Sequence, residues 1–328
     1  MRRILVTGSA GHLGEGLVRV LRERGDEVVG LDLLASGHTD VVGSITDVDL
    51  VRDAVAGVDA VIHTATLHKP HVATHSRQDF VDTNVTGTLT LLEAAVAAGV
   101  GAFVLTSTTS AFGRALSPGP DQPAAWITED VEGVPKNVYG VTKTAAEDLG
   151  ELVHRDHGLP VVVLRTSRFF PEADDDPAVR SRFDDDNLKA VEYLHRRVAL
   201  EDVVDAHLLA VERAADLGFD RFVISATTPF TRVDAPALRH DLAGVLDRRL
   251  PAWRAAFDQL GWTLPAGLDR VYDNARARAQ LGWSPRWDVG AILDRAAAGD
   301  GVRTPLSQVV GAKGYHPGGL VDGMYRTG

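Results

Sequence analysis

TGSAGHLG, Thr7–Gly14, follows a short apolar run and leads straight into a helical pattern. Ile4–Val6 reads as a buried strand, and the apolar residues from Gly14 to Arg24 recur at helical spacing. Between the two, Gly8, Gly11 and Gly14 stand three residues apart. A glycine turn from strand to helix lets backbone N–H groups approach a pyrophosphate, and the helix N-terminus offers its positive end to the same charges. A glycine triplet alone is a weak signal. Its place between the first strand and the first helix is what points to a dinucleotide site. The loop residues Gly8, Ala10, Gly11, His12, Leu13 and Gly14 are the expected phosphate-side contacts.

The alternation continues outward. Val28–Leu31 is a second strand candidate and ends at Asp32, 18 residues beyond Gly14. A carboxylate there accepts hydrogen bonds from the adenosine ribose and repels a 2′-phosphate, so NAD is expected rather than NADP. Leu33, next to it, is expected on the cofactor side. Val51–Ala56 reads as a short helix, Ala60–His63 as a third strand and Phe80–Ala98 as one long helix. Phe103–Thr106 and Val161–Arg165 read as further strands, with Tyr139–His154 helical between them. Strands alternating with helices predict an α/β fold of Rossmann type, a doubly wound parallel sheet with ligands at the carboxyl ends of its strands.

The second half is less regular. Val203–Arg213 reads as a helix and Phe222–Ser225 as a strand, and both are expected to return to the main sheet. The expected division is a nucleotide-binding domain over 1–165 with 201–225 returning to it. A smaller C-terminal substrate lobe covers 166–200 and 226–310, and 311–328 forms a Gly-rich tail. The Asp runs at 174–176 and 184–186 read as solvated faces.

Composition narrows the function classes. The 328 residues carry 34 Lys and Arg against 45 Asp and Glu, a formal charge of −11, which disfavours a general nucleic-acid binder. Cysteine is absent, which removes disulfides, a thiol nucleophile and a zinc-thiolate site. MRRILVTGSAGHLG has no apolar core of signal-peptide length, and no later window approaches a membrane span. A cytoplasmic location is the expectation. His68, His71 and His75 have spacing that one helix face could share, but Pro70 interrupts such a helix, and no metal site is expected. His68 or Lys69 is expected near the nicotinamide.

NVYGVTK, Asn137–Lys143, places a phenol at Tyr139 and an amine at Lys143 one helical turn apart on one face. A free tyrosine, with a pKa of about 10, is no base at neutral pH. A nearby ammonium favours the phenolate. The pair therefore reads as a proton-transfer unit.

Taken in order, TGSAGHLG, Asp32, HTAT at His63, NVTGT at Asn84, STTSAFG at Ser107 and YGVTK at Tyr139 resemble the extended short-chain dehydrogenases/reductases. More narrowly, the chain resembles their NAD-dependent sugar epimerase/dehydratase group, including UDP-galactose 4-epimerase-like enzymes. RRVALEDVVDAHLLA, Arg196–Ala210, and YDNARARAQLGWSP, Tyr272–Pro285, extend the resemblance over most of residues 1–290. The resemblance implies Tyr139 as the acid/base and Lys143 as the residue that holds the nicotinamide ribose and lowers the tyrosine pKa. It implies Thr108 as the hydroxyl on the substrate oxygen, with Ser107 the near alternative, and Asn84 as support for the network. His63, Thr64, Ala65 and Thr66 would line the cofactor, with Ser44 and Ile45 on the adenine side. It also implies a homodimer through a helix bundle that includes the Tyr139 helix.

Four departures bear on the substrate. Ser44 stands where the family often has an aspartate for the adenine. Arg168 stands where UDP-galactose 4-epimerases have an asparagine for the substrate diphosphate; it can bind a phosphate or a carboxylate, or pair with the acidic run beside it. Thr109 stands where dehydratases and decarboxylases carry an acidic residue, which argues against dehydration. The family's phosphate-binding arginine has no clean match: Arg196 and Arg197 lie near its place, and Arg197 is taken as the candidate substrate contact. The leading expectation is a nucleotide-sugar epimerase working through a transient ketone. A net dehydrogenase or reductase of a free sugar, a uronic acid or a related carbonyl compound stands second. A non-catalytic NAD(H) sensor stands third, against the presence of Thr108, Tyr139 and Lys143.

Overall fold

The computed structural model describes residues 1–174 and 177–314. The strands are β1 (Arg3–Thr7), β2 (Glu27–Asp32), β3 (Val41–Val42), β4 (Ala60–His63), β5 (Ala102–Thr108), β6 (Ala125–Ile127), β7 (Val161–Thr166), β8 (Phe219–Ile224) and β9 (Arg270–Tyr272). The helices of the first half are α1 (His12–Glu23), α2 (Val48–Val55), α3 (Arg77–Val81), α4 (Gly87–Ala98) and α5 (Val138–His157). Those of the second half are α6 (Pro177–Arg182), α7 (Asp185–Tyr193), α8 (Leu200–Leu217), α9 (Leu242–Arg249), α10 (Trp253–Leu260), α11 (Ala275–Gln280), α12 (Val289–Ala297) and α13 (Pro305–Val310).

Seven strands form one sheet in the order β3-β2-β1-β4-β5-β7-β8. All of its pairings are parallel. The alternation of side chains along each strand divides the core into two layers. Ile4 and Val6 point with Ile62, Val104 and Leu164 toward α1 and α8. Leu5 points with Val61, Phe103 and Val163 toward α2, α4 and α5. Burial on both faces is why these strands read as continuous apolar runs such as Val161–Leu164. The chain order reverses between β1 and β4, and a crevice opens at their carboxyl ends, where ligands of such sheets sit. Helix α8 and strand β8, the segment after Arg197, pack on and complete this sheet.

A second core joins α7, α9, α10 and α12 around Leu238, Val245, Val271 and Ile292. A two-stranded parallel sheet, β6 with β9, supports it. The sequence patterns gave no hint of β3, β6 or β9: two or three residues are too few for a period to register. The one long helix expected over Phe80–Ala98 is three pieces: α3, a π-helical turn over Asp82–Thr86, and α4. Among the described residues no helix is long and apolar enough to cross a membrane. Asp175 and Asp176 of the first acidic run, and residues 315–328 of the Gly-rich tail, lie outside the described residues.

Candidate active site

Asn137 starts α5 by accepting a hydrogen bond from Gly140 N at 3.0 Å. The helix then carries Tyr139, Lys143 and Glu147 one turn apart on its buried face, with 7%, 2% and 0% of their surfaces exposed. Gly140 allows the helix this close: a Cβ there would lie 2.9 Å from Ser110 O. Strand β5 ends opposite. Thr108, its last residue, acts on the Tyr139 phenol through its hydroxyl. Ser107, one residue earlier, turns away and donates its hydroxyl to Glu147. The two candidate hydroxyls are therefore separated by strand alternation, and Thr108 is the one facing the phenol.

The electrostatics differ from the simple expectation for the pair. Burial pushes Tyr139 up to about 12, and the Thr108 hydroxyl only partly offsets it. Burial also pulls Lys143 down to about 8, against the attraction of the Glu147 carboxylate. Burial thus favours the protonated phenol in this site.

The π turn delivers Asn84, which is 1% exposed. Its Oδ1 accepts from Thr66 Oγ1 and Leu67 N, both at 2.8 Å, and its Nδ2 donates to Thr142 Oγ1 at 3.0 Å. Asn84 thus ties the segment after β4 to α5, and π turns of this kind gather at functional sites.

The glycine loop closes the other end of the crevice. Gly11 is the N-cap of α1, and its N–H donates to Gly8 O at 3.0 Å. A Cβ on Gly14 would lie 1.9 Å from Gly8 O, and one on Gly8, at φ +74°, would lie 2.7 Å from Ala65 N. The loop is a cradle that any side chain would fill. Beyond it Asp32 accepts from Ala10 N and Leu34 N, each at 2.9 Å, which fixes its carboxylate beside the loop. Open glycine backbone and a fixed carboxylate fit a dinucleotide with a free 2′-hydroxyl.

Other expected cofactor residues divide. Thr64 donates to Thr7 O, and Ala65 N reaches Thr7 Oγ1, so both anchor the crevice wall between β1 and β4. Leu33 is exposed, Ser44 bonds Thr46, and Ile45 is buried against Gly87. His63 does not face the crevice: its ring is wedged between Thr7 Oγ1 at 2.7 Å and Thr88 Oγ1 at 3.0 Å. His12 lies on Glu172, 2.8 Å away, and the chain at Lys313 crosses the same point, with Lys313 N 2.9 Å from Glu172.

A cavity of about 190 Å³ opens between β5, α5 and the second lobe. Thr108, Tyr139 and His68 line one end, and Arg168, Arg196 and Arg270 line the other. Arg168 sits 2.6 Å from Asp174 and 3.2 Å from Glu192. Arg196 sits 3.0 Å from Glu192, and Arg197 2.7 Å. Arg197, the sequence candidate, is buried behind this wall and does not line the cavity; Arg196 does. No group of His, Asp and Glu able to hold a metal occurs among the described residues. Instead His68 is half-buried in the cavity wall, where desolvation pulls its ring down to about 3, and it lies 6.1 Å from the Tyr139 ring.

Burial works against the ionised form of Glu192, but Arg168, Arg196 and Arg197 outweigh it and hold the carboxyl far below its usual range. Glu172 is likewise buried, yet its bonds to His12 and Lys313 N bring it down to about 2. A folded pKa below the ordinary 4.5 gives stability that is present above pH 4.5 and lost as pH falls toward the folded value. Thermal melts should therefore show Tm falling steeply from pH 4.5 downward. Glu192→Gln should flatten that fall while lowering Tm at neutral pH.

Sequence reasoning missed Glu147, Glu192 and Arg270 as parts of the site, and chose Arg197 over its neighbour Arg196. Only Glu147 had a readable signal, its place four and eight residues after Lys143 and Tyr139. The others converge from separate segments.

The geometry agrees with what the chain resembles among known proteins. The family model for the NAD-dependent epimerase/dehydratase family matches residues 4–225. A dTDP-glucose 4,6-dehydratase from Streptomyces antibioticus is 31% identical, over 89% of this chain and 90% of its own. A UDP-glucose 4-epimerase from Rhizobium meliloti is 28% identical, over 89% of this chain and 95% of its own. Among solved structures, a short-chain dehydrogenase/reductase superfamily protein from Agrobacterium tumefaciens with bound NAD matches with a TM-score of 0.65. It is 27% identical and covers 90% of this chain and 96% of its own.

Proposed function

We propose, from the premise that the chain belongs to the NAD-dependent epimerase/dehydratase family, that it is a dehydrogenase acting on a secondary alcohol of a small, singly anionic sugar. The family membership makes it an NAD-dependent enzyme. The finer reading rests on the arginine wall of the cavity. Arg168, Arg196 and Arg270 line that wall, and Arg168 and Arg196 both engage Glu192. A guanidinium fork matches the planar geometry of a carboxylate. The volume of about 190 Å³ falls below the roughly 300 Å³ at which sites for larger ligands begin. Both observations favour a single sugar ring carrying a carboxylate.

Gly8, Gly11, Gly14 and Asp32 would hold the dinucleotide, and Lys143 its nicotinamide ribose. When bound, NAD would supply the hydride acceptor and a positive charge. The chain's own residues do the rest. The arginine wall orients the carboxylate. The Thr108 hydroxyl bonds the substrate oxygen. Tyr139 Oη takes the hydroxyl proton as the carbonyl forms on the same carbon. Lys143 supports the phenolate, and the apolar lining at Leu116 and Tyr272 excludes water.

A second reading, a nucleotide-sugar epimerase, draws on the UDP-glucose 4-epimerase from Rhizobium meliloti, which matches along 95% of its length. There the same proton and hydride would return to the opposite face. A homodimer fits either reading: Val141 and Leu152 are exposed three turns apart on the outer face of α5.

Nicotinamide absorbance during incubation with NAD and a panel of sugar acids, neutral sugars and UDP-sugars tests the proposal. NADH formed stoichiometrically with a sugar acid is the expected result. A new sugar isomer with no net NADH would establish the epimerase instead.

A further inference from the structure

The mechanism above does not use every buried charge. Glu147 lies one turn beyond Lys143 on α5 and is completely buried. Arg165 on β7 donates to its carboxylate through Nε at 3.1 Å and Nη2 at 2.7 Å. Ser107 on β5 donates its hydroxyl, and Arg221 on β8 brings Nε to 3.4 Å. Three strands thus converge on one carboxylate beneath the catalytic helix. A buried ion pair is a poor source of net stability, because desolvation offsets most of its attraction. Packing alone therefore does not account for it.

The groups around Lys143 indicate what the carboxylate does. Its own helix offers Tyr139 and Glu147. Strand β4 contributes His63 and the turn after it His68, and the Lys143 charge disfavours protonation of both. Strand β7 contributes Arg165, on the far side of Glu147. Glu147 is the one carboxylate in this set. Ser107, which it holds, is the neighbour of Thr108.

We propose that Glu147 is a positioning residue for the acid–base pair: it keeps the Lys143 ammonium charged and, through Ser107, fixes the end of β5 from which Thr108 projects. The inference rests on the oxidoreductase reading for its catalytic meaning. Burial draws Lys143 toward neutrality, and Glu147 opposes that draw.

The test reads Lys143 directly. The chain has five lysines, so protein labelled with ¹³Cε-lysine gives a small set of signals, and Lys143→Met assigns the relevant one. Glu147→Gln is combined with Arg165→Met, so that no guanidinium is left buried without its counter-charge. In that double variant the Lys143 signal should titrate about one unit lower than in the parent. The alkaline limb of kcat/KM should move down with it, while KM stays near the parent value. Arg165→Met alone leaves the carboxylate to Ser107 and Arg221, and should move the signal upward. Glu147→Asp, which keeps the charge, should stay near the parent. A folded double variant or single Arg165→Met with unchanged Lys143 titration would overturn the proposal and leave Glu147 a core strut. The NMR titration needs no turnover, so it decides the matter even if the parent oxidises nothing in the panel.

Discussion

Tyr139→Phe should lose at least about a thousandfold in kcat, within or beyond the range for removal of a positioned acid–base group, while NAD affinity stays near that of the parent. The phenol ring is buried against Thr108 and lies 6.1 Å from the His68 ring, and phenylalanine keeps that shape. What it removes is the phenol oxygen that the proposed mechanism uses to exchange a proton with the substrate hydroxyl. The substitution also relieves the cost of a buried hydroxyl, so Tm should hold or rise slightly. Steady-state kinetics beside an NAD titration check both halves. A variant that turns over at the parent rate would remove Tyr139 from the reaction, and with it the reading of the whole α5 face.

Gly14→Ala should damage the opposite end of the site, through sterics rather than chemistry. Its methyl would stand 1.9 Å from the Gly8 carbonyl oxygen, where no real Cβ fits. Either the loop or the start of α1 must move. Such overpacking costs about 1–3 kcal/mol. Paid at the cofactor loop, this corresponds to roughly 5- to 150-fold weaker NAD binding, at 1.4 kcal/mol per tenfold. Gly16→Ala, two residues on in the same helix, is the control. Its methyl meets side chains of Val204, Leu306 and Leu200 at 3.4–3.6 Å, ordinary contact distances. NAD titrations of the two variants should separate clearly. Equal affinity in both would mean that the loop does not seat the pyrophosphate.

The line between what was legible and what was not runs between local and convergent features. The parallel sheet was legible because its strands are apolar on both faces and separated by helices of ordinary length. The Tyr139–Lys143 relation was legible because helical geometry alone sets it. Thr108 and Ser107 could not be told apart by sequence, since strand alternation settles which faces α5 only once α5 is docked. The arginine wall was legible at Arg168 and, less sharply, at Arg196, which the sequence could not separate from Arg197. Arg196 follows α7 and Arg270 opens β9, and nothing local in either stretch brings them to one surface. Burial raises the Tyr139 pKa, a cause that its spacing from Lys143 does not report. Spacing reports that two groups are neighbours, whereas burial, which here decides the direction, belongs to the whole fold.

The π-helical turn at Asp82–Thr86 has an engineering consequence. A π turn holds one residue more than an α turn, so the spacing along this segment depends on that extra residue. Deleting any single residue there would let α3 and α4 fuse into one uninterrupted helix. Each residue of an α-helix turns the chain by about 100°, so everything on one side of the deletion would rotate by that angle. Asn84 would swing off Thr66 and Thr142, or Leu91 and Leu92 would leave the core. The reading frame of this helix and the wiring of the active site are thus set by the same extra residue.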